Sequence, residues 1–184
     1  MRRIVFGVAG CLLFLALAQS AIVINTSPSF PEGLYLKTHR TPRKGDLVLV
    51  CPPGKKIFRS VRERGWLAPG LCESGTEMII KRIAAGGGDQ IEISAEAVSV
   101  NGQTLPQSRR IFNLPGMISV PTRCVLKTGE VLLMSPHPRS FDGRYFGALE
   151  IGCVKTTLTT LFLWSEDDHG DTEGAVYADS GNAH

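Results

Sequence analysis

Hydrophobic residues are laid along this chain in two ways. From Ile4 to Ile24 no charged side chain interrupts an almost continuous apolar run. Beyond Asn25 the apolar positions come in short bursts cut by glycine, proline and charge. The first pattern is that of a membrane span, since about 20 apolar residues at roughly 1.5 Å rise cross a bilayer's hydrocarbon core. Arg2 and Arg3 precede the run, so the positive-inside bias keeps the N-terminus in the cytoplasm and carries the rest across the inner membrane. Ala16-Leu17-Ala18 has the small-x-small form of a leader cleavage site, and cutting there would release a soluble periplasmic protein. Ala21-Ile22-Val23-Ile24 continues the apolar character past that site, which suits a single-pass anchor better.

The second pattern predicts strands. GDLVLV (45–50), EMIIKRIAA (77–85), DQIEIS (89–94), AVSVNGQTL (97–105), EVLLM (130–134) and LEIGCVKTTLTTLF (149–162) are β-rich runs bounded by turn residues. Asn101-Gly102 inside an apolar-flanked run predicts a two-residue hairpin turn. Only KKIFRSVRERGWL (55–67) has near-helical spacing, with Ile57, Phe58, Val61 and Leu67 among basic residues, and it predicts a short amphipathic helix. The expected architecture is mostly β: 1–24 an anchor or signal segment, 25–164 a periplasmic β-rich domain, 165–184 an acidic tail. At 184 residues the chain holds one domain with a real core.

Charge sharpens this division. All 20 Lys and Arg precede Ser165, together with 11 of the 17 acidic residues, so residues 1–164 carry a net +9. A basic surface facing an anionic bilayer gains about 1 kcal/mol per residue near the surface. No nucleic-acid recognition motif accompanies it, and the acidic tail has too little apolar material to repay its ordering. Cys11 falls in the anchor; Cys51, Cys72, Cys124 and Cys153 would meet an oxidising compartment, where four thiols pair in three ways. The expected pairs are Cys51 with Cys72 and Cys124 with Cys153. No CxxC or HExxH spacing appears, so neither a metal nor any other cofactor is expected.

Three segments carry candidate chemistry. In NTSPSFPEGLY (25–35), Pro28 and Pro31 bracket Ser29 and present its hydroxyl from a stiff loop. In MIIKRIAAGGGDQI, Lys81 sits among apolar neighbours, and burial lowers a lysine's pKa toward the range where its neutral amine is a base. In SPHPRSFDGRYFGALEIG, Ser140, Asp142, Arg144 and Tyr145 crowd into one loop.

In this order, behind an N-terminal span, the three segments resemble the signal peptidase I-like serine peptidases, and among these the TraF type of conjugative plasmid transfer. S-x-S-F-P-x-G-L-Y (27–35) is similar to that family's nucleophile box, KRIAAGGGD (81–89) to its lysine box, and S-x-D-G-R-Y-F-G (140–147) to its last box. The resemblance implies a signal-peptidase-like β domain with Ser29 as nucleophile and Lys81 as general base. It assigns the oxyanion hole to the Ser27 hydroxyl and the Ser29 backbone N–H. Ser140 would orient the lysine, and Asp142 and Arg144 would brace the loop. It further implies a membrane-inserted substrate, a pilin precursor or another exported preprotein, with hydrolysis or aminolytic cyclisation open as the outcome. A general type I signal peptidase and a non-catalytic periplasmic assembly protein are the other readings. The chain departs from the wider family at Phe30, where methionine is common, at Gly87, where proline is, and in SPHPR, which lacks Gly-Asp-Asn.

Overall fold

A computed structural model describes residues 21–164. Most of the apolar run, the small-x-small site, Cys11 and the acidic tail lie outside the described residues. Among the described residues, eleven strands make two antiparallel sheets. They are β1 (Ile22–Asn25), β2 (Gly33–Thr38), β3 (Leu47–Val50), β4 (Ile79–Ala85), β5 (Gln90–Ile93), β6 (Val98–Val100), β7 (Gln103–Thr104), β8 (Thr122–Val125), β9 (Glu130–Met134), β10 (Leu149–Glu150) and β11 (Val154–Leu163). The larger sheet runs β1-β2-β11-β3-β4-β9-β10 and the smaller β7-β6-β5-β8. Helix α1 (Lys56–Glu63) follows β3, and the one-turn helix α2 (Gly143–Phe146) follows β9.

The chain is mostly β, as its short apolar bursts predict. Asn101 and Gly102 both take positive φ, 51° and 80°, at the β6–β7 turn, the backbone a two-residue hairpin requires. Three strands, β1, β2 and β8, lie outside the expected runs, and one expected run is broken. Ile22–Asn25 belongs to the sheet as β1, with Val23 opposite Tyr35 and Asn25 opposite Gly33. The β domain thus begins within the apolar run, because β2 supplies a pairing partner that hydropathy cannot see. Strand β2 itself follows two prolines, and β8 is an exposed edge without apolar alternation. The expected strand 149–162 is broken by a 3-10 turn at Ile151–Cys153 before β11 runs between β2 and β3.

Helix α1 ends as its glycine dictates. Gly65, at φ 72°, follows the C-cap Arg64, and the bonds Gly65 N–H to Arg62 O (2.9 Å) and Trp66 N–H to Val61 O (2.9 Å) form a Schellman motif. Cys51 and Cys72 form a disulfide that closes the segment carrying α1. The expected Cys124–Cys153 pair is not made: both thiols are free, Cys124 exposed on edge strand β8 and Cys153 beside β3, where its carbonyl accepts from Cys51 N–H at 2.9 Å. Replacing Cys51 and Cys72 with serine is expected to cost about 2–4 kcal/mol, read as a fall in the urea midpoint. An unchanged midpoint would mean that the crosslink constrains nothing.

Three apolar clusters hold the sheets. One packs α1, α2 and Phe141 against Val48, Ile79, Ile83 and Leu133; another joins the smaller sheet to Ala84, Leu132 and Met134; the third gathers Phe30, Tyr35, Leu49, Ile80 and Leu158 on the opposite face of β4. Strand β4 is therefore covered on both faces, and only Arg82 among its residues is more than marginally accessible. Any lysine on it is buried with it.

Candidate active site

The β1–β2 loop carries Ser27 and Ser29, and its shape is set by Asn25. This side chain, 7% exposed, donates from Nδ2 to the carbonyls of Ser27 (3.1 Å), Phe30 (2.9 Å) and Pro31 (3.0 Å), while its Oδ1 accepts from Ser27 N–H at 3.1 Å. One amide thus satisfies loop groups that the prolines leave without a ladder. Phe30 plugs the third cluster, with the Arg82 guanidinium 5.8 Å above its ring, and the Tyr35 hydroxyl donates to Pro31 O. Burial pushes the Tyr35 phenol up to about 12 against the opposing effect of Arg82, so it stays a donor at neutral pH. Ser27 Oγ lies 3.1 Å from Ser29 Oγ and accepts from Ser29 N–H at 3.4 Å.

Gly33 explains the glycine that follows Pro31-Glu32. A Cβ there would stand 2.2 Å from the Phe162 carbonyl of β11 and 2.8 Å from Leu163. Gly33→Ala is expected to force β2 from β11 and loosen the serine loop, with a melting-temperature drop of several degrees measured by circular dichroism. An unshifted melt would show that the contact gives way freely.

Lys81 extends from β4 opposite Val48 and is 2% exposed. Its Nζ donates to Ser140 Oγ at 3.2 Å. Burial lowers its pKa to about 8, with Asp142 pulling it up and Arg144 pushing it down. At pH 7 about one such lysine in ten is neutral, against fewer than roughly one in a thousand at the ordinary value.

Ser140 is held by an ion pair. Asp142 caps α2, accepting from Arg144 N–H (3.1 Å), and meets the guanidinium at Nε (2.7 Å) and Nη2 (2.8 Å); it also accepts from Ser135 N–H at 3.0 Å. Both side chains are fully buried. The remaining guanidinium protons go to carbonyls, chiefly Gln107 (2.8 Å) and Pro138 (2.9 Å), with longer contacts to Ser135 and His137. The 135–140 loop is thereby wrapped around one cation, and Ser140 N–H closes it on His137 O at 3.0 Å.

Ser27, Ser29, Lys81 and Ser140 all line one cleft of about 650 Å³, while Asp142 and Arg144 sit behind its wall. Among the described residues Ser29 and Lys81 are not hydrogen-bonded to each other; each keeps its own hydroxyl partner. Such contacts commonly tighten only when substrate is bound. The cleft is also lined by His137, Arg139, Trp66 and Phe112, none of which the sequence singled out. Asn25 was equally unremarked, although an Asn two residues before a serine is a known loop-folding signal.

Comparison with known proteins meets this geometry. The model of the signal peptidase family, peptidase S26, matches residues 2–163. This chain belongs to that family. It is 37% identical over 163 residues to the plasmid transfer protein TraF of Escherichia coli, spanning 86% of this chain and 92% of that protein. It is also 37% identical over 144 residues to a probable conjugal transfer protein TraF of Sinorhizobium fredii, spanning 74% of this chain and 76% of that protein. A conjugal transfer protein TraF of Agrobacterium tumefaciens is 34% identical over 155 residues, 79% of this chain and 88% of its own length. A crystal structure of signal peptidase I from Enterococcus faecalis V583 aligns with a TM-score of 0.39 at 17% identity, covering 66% of this chain and all of that one.

Proposed function

We propose that this member of the signal peptidase family is a membrane-associated Ser/Lys endopeptidase that processes a pilin precursor or another exported protein in conjugative transfer. The observation that carries the reading is a buried lysine whose hydrogen-bond partner is a neutral hydroxyl, opening on the cleft that holds two further serine hydroxyls. Neutral Lys81 would take the Ser29 proton as Oγ attacks the scissile carbonyl. Ser140 would fix the amine's direction without adding charge. The tetrahedral oxyanion would be met by Ser29 N–H and Ser27 Oγ–H, each of which must turn from its present partner to the new charge. Collapse expels an amine protonated by Lys81, leaving an acyl-enzyme on Ser29.

Strand pairing supports a polypeptide substrate. Pairing of β9 with β4 begins at Arg82, so residues 79–81 have no strand neighbour on that side among those described. An extended peptide laid there gains main-chain hydrogen bonds and brings its carbonyl to Lys81. The relatives' names point to conjugation as the setting. Release follows whichever nucleophile reaches the acyl-enzyme, water giving a linear product and a substrate amine a cyclic one about 18 Da lighter.

The test is processing of a candidate pilin precursor co-expressed in membranes with wild type or Ser29→Ala, read by intact mass. Loss of processing by a folded Ser29→Ala protein supports the reading; continued processing ends it. Because a lysine base is active when neutral, kcat/KM for the wild type should rise roughly fivefold from pH 7 to 8 and level off above about pH 9, roughly tenfold in all. A profile flat from pH 6 to 9 would exclude a titrating lysine base.

A further inference from the structure

The cleft is lined by more than the catalytic groups, and part of its wall is aromatic. Trp66, held by the Schellman turn that ends α1, is 43% exposed and stacks obliquely on Phe112 with centroids 4.8 Å apart. Phe112 in turn lies 5.8 Å from Tyr145. Its segment is pinned to α2: Arg110 donates to Arg144 O (2.6 Å) and Ile118 O (3.1 Å), and Ile111 N–H to the Tyr145 hydroxyl (3.0 Å). Met78, 47% exposed, lines the same cleft. The wall is fixed, apolar and partly open, although nothing in the proposed chemistry uses it.

Its position relative to β4 gives it a use. Ile79 and Lys81 face the cluster containing Phe141 and Tyr145, whereas Ile80 faces the cluster of Phe30 and Leu49. A substrate strand along the free edge of β4 must alternate in the same way, sending every second side chain toward the aromatic wall. Glu77 N–H donates to Ala68 O at 2.8 Å, which ties the segment after Trp66 to residues 77–79 at the start of β4, two to four residues from Lys81. At about 3.3 Å per residue this is roughly 7–13 Å from the reacting carbonyl.

We propose that Trp66 and Phe112 form a remote specificity subsite that receives a large apolar or aromatic side chain of the substrate, about three to five residues from the scissile bond. This rests on the reading of the cleft as a polypeptide-binding site. A ring inserted there exchanges water for two aromatic faces and the Met78 thioether, contacts favourable in both area and geometry. The Glu77 carboxylate at the rim already accepts from Ala68 N–H at 3.4 Å, which ties it to the turn below.

The chain has two tryptophans, and Trp164 lies outside the cleft, so a Trp164→Phe protein reports on Trp66 alone. The full chain in detergent micelles, carrying Trp164→Phe and Ser29→Ala, is titrated with acetylated, amidated alanine octapeptides bearing one Phe at successive positions. The expected result is a saturable blue shift of Trp66 emission, with one placement of Phe binding at least about tenfold tighter than the all-alanine peptide. Phe112→Ala should erase most of that advantage. If Phe112→Ala melts early, Phe112→Leu should reduce it in a protein that keeps its core. Equal affinity for Phe and all-alanine peptides overturns the subsite, as does an advantage indifferent to Phe112, a preference for lysine at that position, or no saturable shift with any peptide. Processing by the Ser29-bearing wild type is followed separately: equal peptide affinities with intact processing remove the subsite and leave the peptidase, whereas Phe-selective binding without processing does the reverse.

Discussion

Lys81→Met is expected to lower the rate of acyl-enzyme formation by about 10⁴-fold or more while leaving the domain as stable as wild type or more so. The two effects separate because the amine's location is costly and its chemistry specific. Strand β4 is packed on both faces, so the amine is desolvated, and its hydrogen-bond partner is the single neutral hydroxyl of Ser140. Methionine has nearly the same length and no polar atom to desolvate. Desolvation outweighs the attraction of Asp142 for the ammonium, which itself exceeds the repulsion from Arg144, so the expected gain comes from the lost desolvation cost alone. The lysine's folded pKa lies below its unfolded one, so the folded wild type sheds its proton first. Wild-type stability should therefore rise from about pH 8 to 10.5, and the Lys81→Met protein should lose that dependence. Urea denaturation at pH 7 and pH 10 measures it. A marked loss of stability in Lys81→Met would mean that Lys81 is a structural strut.

The second large effect belongs to Arg144. Arg144→Met leaves the Asp142 carboxylate buried without its counter-ion and strands the carbonyls of Gln107 and Pro138. Breaking a buried pair from one side costs about 3–5 kcal/mol, a large share of the roughly 5–15 kcal/mol by which domains are stable. Since Arg144 holds the loop that presents Ser140, kcat should fall even in molecules that remain folded. Asp142→Asn combined with Arg144→Met removes the orphaned charge and should recover part of the stability without recovering kcat. If the double variant is no more stable than the single one, the uncompensated charge is not what destabilises it.

The sequence made some of this visible for identifiable reasons. Strand β3 is a continuous apolar run, β9 is one after Glu130, β4 is one broken only by Lys81-Arg82, and the β6–β7 turn is written in Asn101-Gly102, local signals that need no partner. Strand β1 is written as part of the apolar run, because hydropathy cannot distinguish a residue facing lipid from one facing β2. The three segments holding Ser29, Lys81 and Ser140 were each ambiguous alone; the fold brings all three residues to one cleft. What stayed hidden depends on tertiary contact: the three-carbonyl grip of Asn25, the clearance at Gly33 against β11, and the meeting of Trp66 with Phe112 across 46 residues of sequence. The Cys124–Cys153 pairing failed because cysteine arithmetic counts thiols but not their separation; Cys124 belongs to the smaller sheet and Cys153 abuts the larger one.

The most direct measurement is to locate the covalent intermediate. The full chain in membranes is mixed with a candidate pilin precursor, quenched in acid, digested, and searched by mass spectrometry for the residue carrying the acyl group. The account predicts acylation of Ser29, absent in Ser29→Ala and strongly slowed in Lys81→Met at pH 7. An acyl group on any other residue, or acylation of Ser29 that proceeds at the wild-type rate without Lys81, would contradict it.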